Sequence, residues 1–230
     1  MKTIGLIGGM SWESSAEYYR LANRLTKERL GGQANARSLL LTVNFAEIEK
    51  LQHRGDWGQL AKEMVAAARQ LQAGGADFIV LCTNTMHKLA PEIEAAISIP
   101  FLHIADATGT AITAQGMTTV GLLGTRFTME ESFYRDRLQL RYNLKVVTPD
   151  PAERDFVHHA IYDELCQGIL REETRMGFRK ILQGLVQRGA QGIILGCTEL
   201  GLLLGAADCP VPLFDTTQIH AQAAVDHALA

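Results

Sequence analysis

The chain has 230 residues, of which 47% are hydrophobic, 20% charged and 7% aromatic, with a formal net charge of −3. That length suits one large or two small domains and buries a core without disulfides or a structural metal. The charge offers no basic field to nucleic acid, and the apolar runs fall far below the roughly 18 residues of a membrane span.

Four cysteines, Cys82, Cys166, Cys197 and Cys209, form no Cys-x-x-Cys pair and have no histidine pair at zinc-finger distance. No metal site is expected. The opening segment, Met1 to Gly9, is too short and too broken by glycines for a signal peptide. The expectation is a cytoplasmic, reduced chain with four free thiols.

Short apolar runs alternate with longer amphipathic segments, the pattern of an α/β protein with parallel strands covered on both faces. A first strand over residues 3–7 leads through Gly8-Gly9-Met10 to a helix capped by Ser11, with Glu13 in its first turn and Gly31-Gly32 at its end. A strand over 38–43 follows. Leu60, Met64, Ala68 and Leu71 then line one face of a helix that Gly74 stops. Strands over 77–81 and 101–104 complete the first set. The second set runs over 119–123, 144–147, 192–195 and 211–214. In it, Thr128 and Glu131 read as a capping box opening a helix to about Leu140.

An internal repeat relates the two sets. Thr3-Ile4-Gly5-Leu6-Ile7-Gly8-Gly9 returns as Thr119-Val120-Gly121-Leu122-Leu123-Gly124-Thr125. Gly75-Ala76-Asp77-Phe78-Ile79-Val80-Leu81 returns as Gly189-Ala190-Gln191-Gly192-Ile193-Ile194-Leu195, and Ile99-Pro100-Phe101-Leu102 as Val211-Pro212-Leu213-Phe214. The offsets are 116, 114 and 112, in order. Two similar α/β domains of four strands each are expected, residues 1–116 and 117–230, related by a pseudo-two-fold with the active site between them. The last strand and helix of each half are candidates to swap domains.

Ligands of open parallel sheets bind beyond the carboxyl ends of the strands. The second offset pairs Thr83 with Cys197, Asn84 with Thr198 and Thr85 with Glu199, each where a strand gives way to a helix. Cys82, one residue earlier, points to the other face of its strand. A thiol at a helix N-terminus has its thiolate stabilised, which reads Cys197 as a base or nucleophile. The alternative is a small core residue, the expected role of Cys82, Cys166 and Cys209. The turn after the first strand offers backbone N–H groups to a carboxylate. Met10 there is either a cleft wall or core, and His87 either a hydrogen-bond partner or a satisfied buried histidine. Adjacent His158 and His159 suit no shared metal.

Ile4-Gly5-Leu6-Ile7-Gly8-Gly9-Met10-Ser11-Trp12-Glu13-Ser14 resembles the opening of the aspartate/glutamate racemase family. Thr83-Asn84-Thr85-Met86-His87 is similar to that family's Cys-Asn-Thr-Ala-His motif with Thr replacing Cys, and Gly196-Cys197-Thr198-Glu199 matches its Gly-Cys-Thr-Glu motif. The resemblance spans the chain and is nearest to the L-aspartate/glutamate-specific, broad-specificity amino-acid racemase branch. It implies cofactor-independent inversion at Cα of a small amino-acid substrate by two opposed groups, in a homodimer. Substrate contacts are implied for Met10, Gln52, Thr83, Asn84, Thr85 and Thr198.

The departure at Thr83 has a chemical consequence. A hydroxyl can give a proton to a strongly basic carbanion but is a far poorer base than a thiolate, so Cys197 is expected as base and Thr83 as acid. The resemblance places the second-half cysteine on the α-proton of the L enantiomer, which implies a preference for L substrates. No Arg or Lys stands in register where archaeal-type aspartate racemases hold the side-chain carboxylate: the corresponding segments are Phe45-Ala46-Glu47-Ile48-Glu49-Lys50 and Ile161-Tyr162-Asp163-Glu164-Leu165-Cys166, and Glu164 adds negative charge. The pocket is therefore expected to accept neutral side chains as well as acidic ones. Two other readings stay open: a one-base decarboxylase or isomerase of the same superfamily, and a non-catalytic two-lobed carboxylate-binding protein.

Overall fold

Strand pairing follows the repeat residue for residue. The computed structural model describes all 230 residues. Its first sheet holds β1 (Ile4–Gly8), β2 (Ser38–Thr42), β3 (Phe78–Leu81) and β4 (Phe101–Leu102) in the order β2-β1-β3-β4. The second holds β5 (Thr119–Gly124), β6 (Lys145–Val147), β7 (Ile193–Gly196) and β8 (Leu213–Asp215) in the order β6-β5-β7-β8. All pairings are parallel. Gly5, Leu6 and Ile7 pair with Ile79, Val80 and Leu81, and Gly121, Leu122 and Leu123 pair with Ile193, Ile194 and Leu195. The same holds for Ile79–Phe101 and Ile193–Leu213. Offsets read from sequence alone thus carry one sheet's register onto the other's.

Each central strand is covered on both faces, which is why its residues are apolar without alternation. On one face of the first sheet, Ile4, Leu6, Phe78 and Val80 pack against α1 (Trp12–Leu30) through Tyr18, Leu21 and Leu25. On the other, Ile7, Ile79 and Leu81 meet Leu60, Met64 and Leu71 of α3 (Trp57–Ala73). Between them in sequence lies α2 (Phe45–Arg54), and α4 (Ala90–Ala96) adds Ile93. The second sheet sets Leu123, Ile193 and Leu195 against Phe178, Leu182 and Leu185 of a later helix.

The capping expectation at the start of the second half is corrected. Thr125, not Thr128, caps α6 (Arg126–Glu130), accepting from the Thr128 N–H. Glu131 adopts extended backbone (φ −79°, ψ 154°) and separates α6 from α7 (Ser132–Tyr142). Thr128 is fully buried, with its hydroxyl 3.3 Å from that of Thr125, so it is not placed to cap.

The chain folds as two units, Met1–His103 with His220–Ala230, and Ile104–Ile219. The boundary therefore falls before α5 (Ile104–Thr113), not after it at residue 116. The reason is apolar: Ile104, Ala105 and Ile112 of α5 pack with Val120, Leu122 and Leu138. Ala221, Ala224 and Val225 of the C-terminal helix pack with Ile4, Leu6 and Phe78. The two helices are counterparts: Tyr18 Oη lies 2.9 Å from His220 Nδ1, and Tyr134, its equivalent in the second half, is 3.5 Å from Thr108.

The remaining helices of the second unit are α8 (Pro151–His159), α9 (Glu172–Gln187) and α10 (Leu200–Leu203), and α11 (Thr216–Leu229) leads out of it into the first. A π turn at Ala160–Glu164 and a short 3-10 turn at Leu165–Gln167 join α8 to α9. No helix is long and apolar enough to cross a membrane.

Candidate active site

In the first unit, β1 and β3 end side by side, Ile7 opposite Leu81. The chain leaves β1 through Gly9, held at φ +92° where a Cβ would run into the Val43 backbone. Only glycine fits both demands. The Gly9 N–H donates to Ser15 Oγ at 2.7 Å, and Ser15 Oγ donates to the Ser11 carbonyl at 2.9 Å. Contrary to the sequence expectation, that amide is committed to the turn itself and does not await a carboxylate.

At the end of β3 the two neighbours differ in exposure. Cys82 lies wholly inside the apolar layer with Ile4, Leu6 and Tyr18, where burial pushes its thiol pKa up. Thr83 is buried too but keeps slight exposure. Successive carbonyls here are each held by a side chain: Ser14 Oγ donates to the Cys82 carbonyl at 2.9 Å, and His87 Nδ1 to the Thr83 carbonyl at 2.7 Å. A carbonyl can only accept, so His87 carries its hydrogen on Nδ1.

The His87 ring packs against Phe101, His103 and His220 at centroid distances of 5.4, 4.6 and 5.7 Å. His220 Nε2 donates to the Leu102 carbonyl at 2.8 Å, leaving Nδ1 to accept from Tyr18 Oη. Burial pulls the His220 pKa down to about 4, against the smaller opposing effect of the Leu102 bond. It is therefore neutral at pH 7. The open question over His87 resolves to both of its readings: it is buried, satisfied, and a partner of Thr83.

Asn84 and Thr85 follow, buried at the start of a 3-10 turn over Thr85–Leu89. Met10 is buried in the apolar layer with Ile7, Ile48 and Met64. Gln52, on α2, is also buried and donates to Met86 Sδ at 3.2 Å. The first unit thus gathers Met10, Thr83, Asn84 and Thr85 at two adjacent strand ends, and ties Gln52 to them through Met86.

In the second unit, Gly124 pairs with Gly196, and a Cβ on either would press on the other strand's backbone. The turn that follows carries Cys197, Thr198 and Glu199. Cys197 Sγ donates to Glu199 Oε2 at 3.0 Å, and Thr198 Oγ1 donates to the same oxygen at 2.6 Å. Glu199 is buried; Cys197 and Thr198 are partly exposed.

This overturns the expectation of a thiolate favoured by a helix. The helix α10 spans only Leu200–Leu203 and starts three residues after Cys197, so it contributes little dipole. Burial raises the Cys197 pKa well above its ordinary value, and the negative charge of Glu199 and the nearby Cys166 push the same way. The resting group is a neutral thiol hydrogen-bonded to the Glu199 side chain. Glu199 is the functional candidate that sequence reasoning passed over; its signal was an acid two residues past the cysteine in a tight turn.

The other candidates have structural partners. Glu164, read as extra negative charge, accepts from Thr174 Oγ1 at 2.5 Å and lies 3.8 Å from Arg171. Cys166 packs against the same apolar layer as Cys197. His159 Nδ1 donates to the Asp155 carbonyl, and His158 Nδ1 accepts from the Arg126 N–H. No group of three or more His, Cys, Asp or Glu is arranged to hold a metal ion.

Two four-stranded parallel sheets flanked by helices, each with a polar turn at the carboxyl end of its third strand in sequence, give the α/β fold of the Asp/Glu racemases. The model of the Asp/Glu/hydantoin racemase family matches residues 7–224, and the chain belongs to that family of isomerases. The crystal structure of a candidate Asp/Glu racemase from Yersinia pestis is 53% identical, covers both chains fully and has a TM-score of 0.94. That of an aspartate racemase homologue from Pyrococcus horikoshii is 31% identical over both full chains, with a TM-score of 0.87. The broad-specificity amino-acid racemase RacX of Bacillus subtilis is 28% identical over 178 residues, 76% of this chain and 75% of its own length.

Proposed function

We propose that the chain inverts amino acids at Cα without a cofactor, with Cys197 as base and Thr83 as the opposing proton donor, favouring L over D substrates. The observation that carries the reading is the Cys197–Glu199 contact at 3.0 Å, at the strand end equivalent by repeat to Thr83. The proposal requires both strand ends to address one substrate from opposite sides.

In this reading Glu199 takes the thiol proton, and the Cys197 thiolate then takes the α-proton of the L substrate. Thr83 Oγ–H protonates the carbanion on the far side and regains its proton from water, and Glu199 gives up its proton to the hydroxide so formed, which restores the enzyme for the next turnover. Glu199, once protonated, no longer needs the Thr198 hydrogen bond. That hydroxyl can turn with Asn84 and Thr85 to the substrate carboxylate, where donors stabilise the developing charge. Met10 and Gln52 wall the pocket. Family membership supports aspartate and glutamate as substrates, and the RacX relative supports a broader set. By resemblance the acting species is a cytoplasmic homodimer, and sedimentation equilibrium tests its size.

The direct test incubates L- and D-aspartate separately with the enzyme in D2O and follows loss of the α-proton signal. Faster exchange from the L enantiomer, abolished in Cys197→Ala, is expected. Equal exchange from both enantiomers would overturn the assignment of Thr83 as acid only. Release of CO2 from an arylmalonate with no chiral inversion of amino acids would favour the one-base decarboxylase instead.

A further inference from the structure

The repeat exposes a difference between the units away from Thr83 and Cys197. In the first unit, the His87 ring fills space beside Phe101 and His103. The offsets carry these three positions onto Gly201, Leu213 and Asp215 in the second. The correspondence is spatial as well: a Cβ built on Gly201 would stand 2.5 Å from Asp215 Oδ2, so position 201 faces 215 as 87 faces 103. Two imidazoles and a phenyl ring are replaced by a hydrogen, a carboxylate and an isobutyl group.

At that place the second unit has a cavity of about 550 Å³, walled by Leu195, Leu204, Val211 and Leu213 and bordered by Gly201 and Asp215. Asp215 is the one charged residue among its walls. Its Oδ1 accepts the backbone N–H groups of Thr217 and Gln218 at 2.9 and 3.1 Å, which fixes the carboxylate at the start of α11. A cavity of roughly 300–1,000 Å³ with apolar walls and a few fixed polar groups is the form of small-molecule sites.

We propose that this cavity binds a small organic cation with a flat apolar body, its charge on Asp215 and its body in the space that His87 and His103 fill in the other unit. Apolar walls reward the flat body by burial. A fixed carboxylate gives a charge-assisted hydrogen bond to an amidinium, imidazolium or ammonium group and repels anions. The inference rests on the repeat and the cavity and is independent of the role assigned to Cys197.

The test titrates the 15N-labelled full chain with benzamidinium and with benzamide, its neutral near-isostere. Saturable shifts are expected at the amides of Gly201, Leu204, Asp215 and Gln218, with benzamidinium bound about tenfold more tightly than benzamide. Asp215→Asn keeps an oxygen for the two amides of α11 and should remove that preference while benzamide binding stays. Gly201→His restores a ring as in the first unit and should block both probes. Equal binding of the two probes, shifts confined to other surfaces, or a preference that survives Asp215→Asn would each overturn the proposal. So would no saturation by about 10 mM benzamidinium, the weak end of specific binding. The Asp215→Asn arm decides the matter even if Gly201→His does not fold.

Discussion

The thiol of Cys197 and the carboxylate of Glu199 share a hydrogen bond of 3.0 Å within one three-residue turn. The contact makes the thiol harder to ionise at rest, and in the proposed mechanism the same carboxylate takes its proton. Replacing Glu199 by Gln separates these two effects. The thiol pKa should fall, because a negative charge that opposed the thiolate is gone. The pH midpoint of the iodoacetamide reaction should therefore move down in Glu199→Gln. Exchange of the L-aspartate α-proton should nevertheless slow by about 100-fold, the usual minimum contribution of a positioned acid–base group.

On the proposed assignment, Thr83→Cys puts a better base in place of the hydroxyl. The variant should gain α-proton exchange from D-aspartate in D2O by at least about tenfold, bringing the two enantiomers nearer to equal rates. An unchanged D rate would mean that the residue-83 side chain does not reach the substrate.

Cys82, one residue away, provides the control on register. It is buried among Ile4, Leu6 and Tyr18, with its ionisation suppressed by that burial. Cys82→Ala should keep turnover within about twofold of the parent while costing about 1 kcal/mol of stability in a denaturant titration. Loss of activity in the folded variant would shift the whole site by one residue.

His220 gives a prediction for acid. Its pKa lies at about 4 in the folded chain and near 6.5 unfolded, so the unfolded state binds the extra proton first. Stability is thus fully present above the unfolded value and is lost as pH falls from about 6.5 to about 4, on the order of 3 kcal/mol in all. His220→Gln can keep a donor for the Leu102 carbonyl and an acceptor for Tyr18. Denaturation midpoints followed across that window should flatten in the variant, though it starts about 1 kcal/mol lower at pH 7.

How much of this could be read from residues alone differs by level. Apolar runs such as Phe78–Leu81 and Ile193–Gly196 announce strands covered on both sides, and the repeat even carries their register. The expectation that Cys82 is a core residue holds, since it lies wholly inside the apolar layer. What stayed hidden depends on side-chain reach and on chain length within turns. Nothing in Gly196-Cys197-Thr198-Glu199 says that α10 starts late and is only four residues long, so the helix-dipole argument misjudged the thiol. Ser15 likewise gave no local sign that it would claim the Gly9 amide. Thr128 looked like a cap because the residue that caps, Thr125, lies three positions earlier in a similar setting.

The departure of α5 from the first half, and the arrival of α11 in its place, has a consequence for synthesis. The face of the first sheet made by Ile4, Leu6 and Phe78 is covered in part by Ala221, Ala224 and Val225, and the Lys2 N–H donates to the Ala228 carbonyl at 2.8 Å. Strand residues early in the sequence are therefore covered by helix residues far later in it. A nascent chain released short of His220 leaves part of that face uncovered, and contacts of such long sequence separation slow folding. Synthesis must reach α11 before that face of the first sheet is fully covered.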